Sequence, residues 1–476
     1  MTKITDPDTL IQSFRQAEKW LFTLITDPKG ERYFQEKSMD VRMQEFIEQI
    51  ERMRDFMGYC DNPEAAMPSI HVAGTSGKGS VVNLLAGIMG AGGLKIGYHV
   101  SPYLQVCTEK LVTGGRRIAP SEFVALVELF KEKYGGWLES GTEFEALKYG
   151  EAWVALTFLH MAQAQVDWAV IETGLGGRYD PTNVVPASLA VITNVNYDHM
   201  EVLGEELIAI AAHKAGIIKP GGTAITGETN SEVLGVLKHE AEVKEARLYV
   251  VGEDFFYSID EREGEKSLTV RGVYDTYENL HIGMSGEFQY ENAALAVAAV
   301  DVLRHEFGLS LTADQLAAGL GKVRYPGRFE VVSEEPLVLL DGAHNRHKAS
   351  ALEASLVSEY PDKRFIIVLG TLSIKDFSGI VETLAPVAKL WVATQPRVFG
   401  KPSTPPDVLA EKIRSITPDL EVIQEDNVIN AIERALSLAG EKDAVVVSGS
   451  LYMLGEARER WFSSLEILLA DEEQLA

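Results

Sequence analysis

Cysteine is nearly missing from this chain. Cys60 and Cys107 are the only two in 476 residues and lie far apart in sequence, which argues against a disulfide framework and against a cysteine metal cluster. Positive charge is in deficit: 44 Lys and Arg stand against 70 Asp and Glu, a formal net charge of −26. A nucleic acid or an anionic membrane requires a basic face, so neither is an expected partner. An anionic substrate must then be held by local basic groups against a repulsive overall field. Long apolar runs are lacking too. None approaches the ~20 residues of a membrane-spanning helix, and Met1-Thr2-Lys3-Ile4-Thr5-Asp6 has no apolar leader core. The expectation is a cytoplasmic protein.

The length points to two domains, and 46% hydrophobic with 24% charged residues is the composition of an ordinary globular protein with a large core. The stretch around which the chain is organised is Ile70-His71-Val72-Ala73-Gly74-Thr75-Ser76-Gly77-Lys78-Gly79-Ser80. It reads as a strand end, a glycine turn bearing a lysine, and a helix beginning through Val81 to Met89. Glycines let several backbone N–H groups converge on one anion, and the helix adds the positive end of its dipole. Lys78 is a point charge suited to the outer phosphates of a nucleotide. The match to the common phosphate-loop pattern is incomplete, since position 72 is Val and Gly79 separates Lys78 from Ser80. A glycine turn after a strand can be mere punctuation, but strand, Gly-Lys pair and helix in this order favour phosphate binding.

Helical stripes are expected at Thr9–Ile25 and Asp40–Met57, with Asn62-Pro63 breaking the chain before the loop strand. Apolar strands follow at 95–102, 168–172, 189–195 and 223–226, with helices between them, including an apolar one at 152–164. That alternation predicts a mostly parallel sheet with helices on both faces. Ligands of such sheets gather at the carboxyl ends of the strands, where Lys78, Ser101, Glu172 and His199 all fall. Residues 255–284, with Gly264 and Asp275 as turn signals, read as a small β excursion. Helices follow at 293–303 and 311–320, and 324–330 reads as a linker. Alternation restarts at 337–341, 365–369, 390–394, 420–423 and 444–448, and a helix over 454–469 ends this unit. The fold class is therefore α/β: an amino-terminal P-loop ATPase-type sheet, residues 1–324, and a smaller Rossmann-like domain, residues 325–476.

Glu172 ends an apolar strand and precedes Thr173-Gly174-Leu175-Gly176-Gly177-Arg178, a place where backbone can approach a ligand closely. A Mg²⁺ ion on nucleotide phosphates wants such a hard oxygen. A surface Glu before a glycine turn is the plainer alternative. His199 could ligate through a neutral imidazole, although an isolated histidine is more often structural. Lys214, on an apolar helix, reads physically as a snorkelling lysine.

These motifs, together with Lys214-Ala215-Gly216-Ile217, Pro326-Gly327-Arg328-Phe329-Glu330, Asp341-Gly342-Ala343-His344-Asn345 and Gly449-Ser450-Leu451-Tyr452, occur in one order that resembles folylpolyglutamate synthase/dihydrofolate synthase of the Mur ligase superfamily. The resemblance runs from about the second helix to Arg458. It implies that Gly74 to Ser80 hold the ATP phosphates and that Ser101, Glu172, His199 and a carbamylated Lys214 hold two Mg²⁺ ions. It also implies nucleotide contacts at Asn292, Arg328 and Asp341. His344 and Ser450 would lie near ATP and incoming L-glutamate, and Phe144-Glu145 and Tyr179-Asp180-Pro181 near a pterin. The implied reaction is ATP-dependent ligation of glutamate to a folate or dihydropteroate carboxylate through an acyl phosphate, by a monomer. Another Mur-type ligase acting on a different carboxylate is the alternative. The chain departs from the family pattern at Ser76 (usually Asn), Tyr103 (commonly His), Ala146 (usually Phe) and Arg346 (usually Pro).

Overall fold

Strand β1 (Ser69–Ala73) is buried at all five positions, the pattern of a central strand covered on both faces. In the computed structural model it lies in the middle of an eight-stranded sheet. The other strands are β2 (Ile96–His99), β3 (Val112–Thr113), β4 (Arg116–Arg117), β5 (Trp168–Glu172), β6 (Leu189–Ile192), β7 (Thr223–Thr226) and β8 (Arg247–Val250), in the order β4-β3-β2-β5-β1-β6-β7-β8. The structure describes residues 6–28, 30–31, 38–262 and 265–475, without the side chains of Met39 and Glu201. The leader reading at Met1–Thr5 and the turn read at Gly264 lie outside these. Among the described residues no helix is long and apolar enough to cross a membrane, and both cysteines are buried and unpaired.

Register brings the strand ends level. Val72 pairs with Glu172, Ala73 with Ile192, and His99 with Ile171. The residues that follow β1, β2, β5 and β6 therefore emerge side by side at one edge. Alternate β1 residues face opposite layers. Ile70 and Val72 pack with the helices Lys78–Ala91, Phe288–Glu306 and Ala313–Lys322. Ala169 and Ile171 of the adjacent β5 pack with Pro7–Phe22, Met39–Tyr59, Pro120–Glu139 and Tyr149–Ala164. The expected β excursion is a separate antiparallel sheet of β9 (Phe256–Arg262), β10 (Glu265–Arg271) and β11 (Thr276–Leu280).

A second sheet contains β12 (Glu330–Glu334), β13 (Leu337–Leu340), β14 (Arg364–Leu369), β15 (Ala388–Ala393), β16 (Glu421–Gln424) and β17 (Asp443–Ser448), ordered β12-β13-β17-β14-β15-β16. All its pairings are parallel except β12–β13. Both faces carry helices, so the α/β class with two sheets is as expected. Three details differ. Glu330, read as linker, opens β12. The β3–β4 hairpin and β8 escape the apolar-run reading. The single terminal helix is two, Leu451–Arg458 and Ser464–Glu473. The break follows from Glu459, whose carboxylate accepts from the Ser464 N–H at 3.1 Å and starts the second helix. That last helix crosses back to the first unit, where Leu468 joins its core and Asp471 accepts two bonds from Arg117 at 2.7 and 2.8 Å.

One buried ion pair ties the second helix to the sheet layer. Arg52, 3% exposed, donates to both carboxylate oxygens of Glu151, 1% exposed, at 2.9 and 2.6 Å. Glu151 also accepts from the Lys148 N–H, capping its own helix. Truncating one member of a buried pair strands the other charge. Arg52→Ala is therefore expected to destabilise the fold by about 3 kcal/mol, read from the denaturant midpoint. An unchanged midpoint would mean that solvent reaches Glu151.

Candidate active site

The turn after β1 needs its glycines for space. A Cβ on Gly74 (φ +152°) would stand 1.8 Å from Thr193 Oγ1, and one on Gly77 (φ +81°) 2.1 Å from Asn292 Oδ1. The loop is laced to the segment after β6. Thr75 N–H donates to Asn194 O (2.8 Å), Ser76 N–H to Asn194 Oδ1 (2.9 Å), and Thr193 Oγ1 to Ser76 O (2.6 Å). Gly74 O is taken by lysine ammonium groups and Ser76 O by the Thr193 hydroxyl, and the helix Lys78–Ala91 begins directly behind the loop. Thr75 and Ser76 spend their N–H groups on Asn194, so an anion at this loop would meet the helix amino-terminus and Lys78.

Two lysines meet at one loop carbonyl. Lys78 Nζ donates to Gly74 O at 3.1 Å and Lys214 Nζ to the same oxygen at 2.8 Å. Lys214 does not snorkel: it is 4% exposed. Burial, reinforced by the charge of Lys78, holds its ammonium well below the ordinary lysine range. Glu172 is equally buried, with Oε1 3.9 Å from Lys78 Nζ and Oε2 accepting the Ser101 N–H at 3.0 Å. Burial raises its pKa, and Lys78 and the Ser101 N–H offset this only in part.

His199 sits in a left-handed conformation (φ +54°) at the start of the short helix Met200–Leu203, its Nε2 3.9 Å from Asp198 Oδ1. Asp198 reaches across to the second unit. Lys375 Nζ lies 2.6 Å from it, Asn345 Nδ2 3.4 Å, Lys348 Nζ 3.6 Å and His344 Nε2 3.7 Å. Burial alone would raise this carboxyl, but the charges of Lys348, His199 and Lys375 together hold it far below the usual range. His344 Nδ1 is 2.8 Å from Gly342 O and must donate there, so Nε2 is left to accept from Lys348 at 2.9 Å. Burial lowers the His344 pKa to about 3 and that of Lys348 to about 7. Asp341 accepts the Phe329 and Ala343 N–H groups at 2.9 Å each, and Arg328 lies 5.4 Å over the Tyr325 ring.

Lys78, Lys214, Arg328, Lys348 and Lys375 thus converge from both units on Glu172, Asp198 and Asp341 in a chain that is otherwise strongly acidic. Glu172 and His199 are linked through Lys78, Lys214 and Asp198 rather than directly. Glu172 and the adjacent Ser101 hydroxyl are hard oxygen donors of the kind a divalent cation takes, and His199 follows the nearby β6.

Not all expected residues come together. Tyr179 stacks on Phe46 (6.0 Å, 4°), whereas Phe144 packs on Trp137, whose Nε1 donates to Asp55. Phe46 and Asp55 are on one helix, about 14 Å apart at 1.5 Å per residue. Glu145 is exposed. Asp180 is buried and committed to Leu175 N–H (2.7 Å) and Thr182 N–H (3.0 Å), holding the glycine turn, and Pro181 opens the next short helical turn. Asn292 donates to Gln289, and Ser450 is buried at the start of Leu451–Arg458. Sequence reasoning missed Asn194, Lys348 and Lys375. Lys348 had a weak signal, in the first turn of the helix that follows the His344-Asn345 motif; Lys375 had none.

Comparison with known proteins finds a Mur ligase domain in each unit. Residues 72–300 match the Mur ligase middle domain and residues 327–451 the Mur ligase glutamate ligase domain. The dihydrofolate synthase/folylpolyglutamate synthase of Bacillus subtilis is 32% identical over 424 residues, covering 86% of this chain and 94% of that protein. The Mycobacterium tuberculosis folylpolyglutamate synthase complexed with ADP and AMPPCP superposes with a TM-score of 0.84 at 30% identity, over 95% of this chain and 99% of that one. A bifunctional folylpolyglutamate synthase/dihydrofolate synthase with Mn, AMPPNP and L-glutamate bound gives 0.75 at 28% identity, over 86% and 93%. With both Mur ligase domains matched in order and a relative of 32% identity over most of both chains, the chain belongs to the folylpolyglutamate synthase/dihydrofolate synthase family of Mur ligases.

Proposed function

We propose that this protein is an ATP-dependent ligase that joins L-glutamate to the carboxylate of a folate, a dihydropteroate or both, releasing ADP and phosphate. The observation that carries this reading is the meeting of both units at Lys78: the glycine loop and Glu172 from one, Lys348, Lys375 and Arg328 from the other. Residues 1–324 are the ATP-binding domain in this reading and 325–476 the glutamate-ligase domain. The enzyme is a cytoplasmic monomer that takes small-molecule substrates.

Gly74 to Ser80 hold the ATP phosphates, with Asn292, Arg328 and Asp341 around the nucleotide. Ser101 and Glu172 would hold one Mg²⁺, and His199 with a carbamylated Lys214 a second. When bound, the two ions supply charge stabilisation for the transferring phosphoryl group. On the pterin side, Tyr179 and Phe144 would flank the substrate from opposite ends of the helix Met39–Tyr59, with Glu145 in solvent beside Phe144 and Asp180 and Pro181 holding the turn beneath Tyr179; His344 and Ser450 mark the side of ATP and glutamate. Lys78 offsets charge on the γ phosphate as a substrate carboxylate oxygen attacks phosphorus and the bond to ADP breaks. The acyl phosphate then meets the glutamate amine. Nitrogen bonds the carbonyl carbon, phosphate departs with the C–O bond pair, and the nitrogen loses a proton. Docking of the second unit excludes water from the acyl phosphate meanwhile. No side-chain nucleophile is required.

Phosphate release with ATP and L-glutamate, measured side by side on dihydropteroate, tetrahydrofolate and a muramyl substrate, tests this. Release is expected to depend on glutamate and on one of the first two. Glutamate-independent hydrolysis at the same rate would make the protein a nucleotide hydrolase instead.

A further inference from the structure

The loop that begins at Ser101 belongs to two cores at once. Val106 and Cys107 are buried with the first unit. Leu104, 8% exposed, is buried instead among Val338, Leu340, Val368, Leu451 and Leu454 of the second. Two glycines shape its seat. A Cβ on Gly327 would lie 2.9 Å from Leu104 Cδ1, and one on Gly455 2.0 Å from Leu104 O. The loop is stiffened from behind, because the Glu109 carboxylate accepts the N–H groups of Leu104 (2.7 Å), Gln105 (3.0 Å) and Val106 (3.1 Å). It is also stitched to both chain crossings between the units. Arg458 donates to Gln105 Oε1 at 2.8 Å while paired with Glu330, and Gln105 Nε2 donates to Phe462 O at 2.6 Å. Three residues before Leu104, the Ser101 N–H holds one oxygen of Glu172.

We propose that Leu104 is a positioning residue: anchored in the second unit, it makes the placement of Ser101 and Glu172, and so the affinity for the divalent cation, depend on the two units being docked. The inference rests on the reading that Ser101 and Glu172 hold that cation. Leu104 touches neither substrate nor metal; it acts through a short stretch clamped at Glu109. A displacement of the second unit pulls on that stretch, and the hydrogen bond that orients Glu172 is at its other end. Ordinary interface burial would predict lost stability alone, so the test must read metal binding.

Mn²⁺ is titrated in the presence of AMPPNP and free ion is followed by paramagnetic resonance, with thermal unfolding measured in parallel. Leu104→Ala is expected to raise the Mn²⁺ half-saturation about tenfold, the effect of losing a group that orients a metal ligand. Gly455→Ala, which favours its helix but collides with Leu104 O, is expected to do the same without removing an apolar contact. Ile432→Ala, buried in the same cluster away from the loop, is expected to lower the unfolding temperature and leave Mn²⁺ binding unchanged. Unchanged Mn²⁺ binding in Leu104→Ala and Gly455→Ala, with loss in Glu172→Gln, overturns the coupling alone. Unchanged binding in Glu172→Gln moves the metal elsewhere and overturns both readings.

Discussion

Replacing Lys78 by alanine is expected to lower kcat by about a thousandfold or more while the protein stays folded, because a cation fixed on a transferring phosphoryl group is worth roughly 10³ or more in a desolvated site. The lysine stands where the loop needs it: first residue of its helix, 3.1 Å from the Gly74 carbonyl and 3.9 Å from Glu172. Its contribution to the fold is small by comparison. A cation at a helix amino-terminus opposes the helix dipole, and alanine is the better helix former. The opposing cost falls on Glu172, whose carboxyl loses its nearest positive neighbour and is pushed further upward. That shift weakens the metal site, so the loss in turnover is compounded rather than compensated. Phosphate release and thermal unfolding on the same preparation separate the two effects. Turnover within a few-fold of the unaltered enzyme would remove the loop from the chemistry.

Parallel strands such as Trp168–Glu172 and Ala444–Ser448 are visible as apolar runs because both faces of each sheet are covered, and the structure buries every residue of β5 and β17. The same physics hides the edges. β12 runs through half-exposed Glu330 and Ser333 and exposed Val331, and β4 is only Arg116-Arg117, so neither has a run to read. The β3–β4 pair is held by backbone pairing and by Arg116 and Arg117 reaching Glu122 and Asp471, contacts that no local pattern encodes. In the site, the motif around Lys78 and the strand-end Glu172 are local and were legible. Lys375 meets Asp198 across 177 residues of sequence, on a loop with no periodicity or motif of its own. Asn194 was passed over because its task, fixing the Ser76 N–H, depends on the register of β1 against β6. Residues whose role is set by packing between units are the ones a single sequence conceals.

Lys214 is expected to carry a carbamate, and Lys214→Arg to lose activity by about a hundredfold or more, the scale of losing a group that holds or orients a metal. A lysine can be buried at this depth as a neutral amine, and burial together with Lys78 drives it that way. A neutral amine is the form that attacks CO₂; the N–C bond forms, one proton leaves, and an anionic oxygen donor replaces the uncharged amine. In the unfolded chain the same amine has a pKa of ~10.4 and stays protonated at neutral pH, so the modification belongs to the folded state. The sign of the linkage follows. The folded amine binds a proton less readily than the unfolded one, so bare Lys214 costs stability below the unfolded value, and that cost grows as pH falls until the folded amine is itself protonated, then levels off. Carbamylation removes it and supplies Lys78 with an anionic neighbour. Arginine cannot follow this route, since its guanidinium remains charged and forms no carbamate. Native mass spectrometry of protein held in bicarbonate should show the added mass of one CO₂, lost on brief acidification and absent from Lys214→Arg. A bare amine in nucleotide-bound protein, or a fully active Lys214→Arg, would leave the second cation to His199 and the phosphates alone.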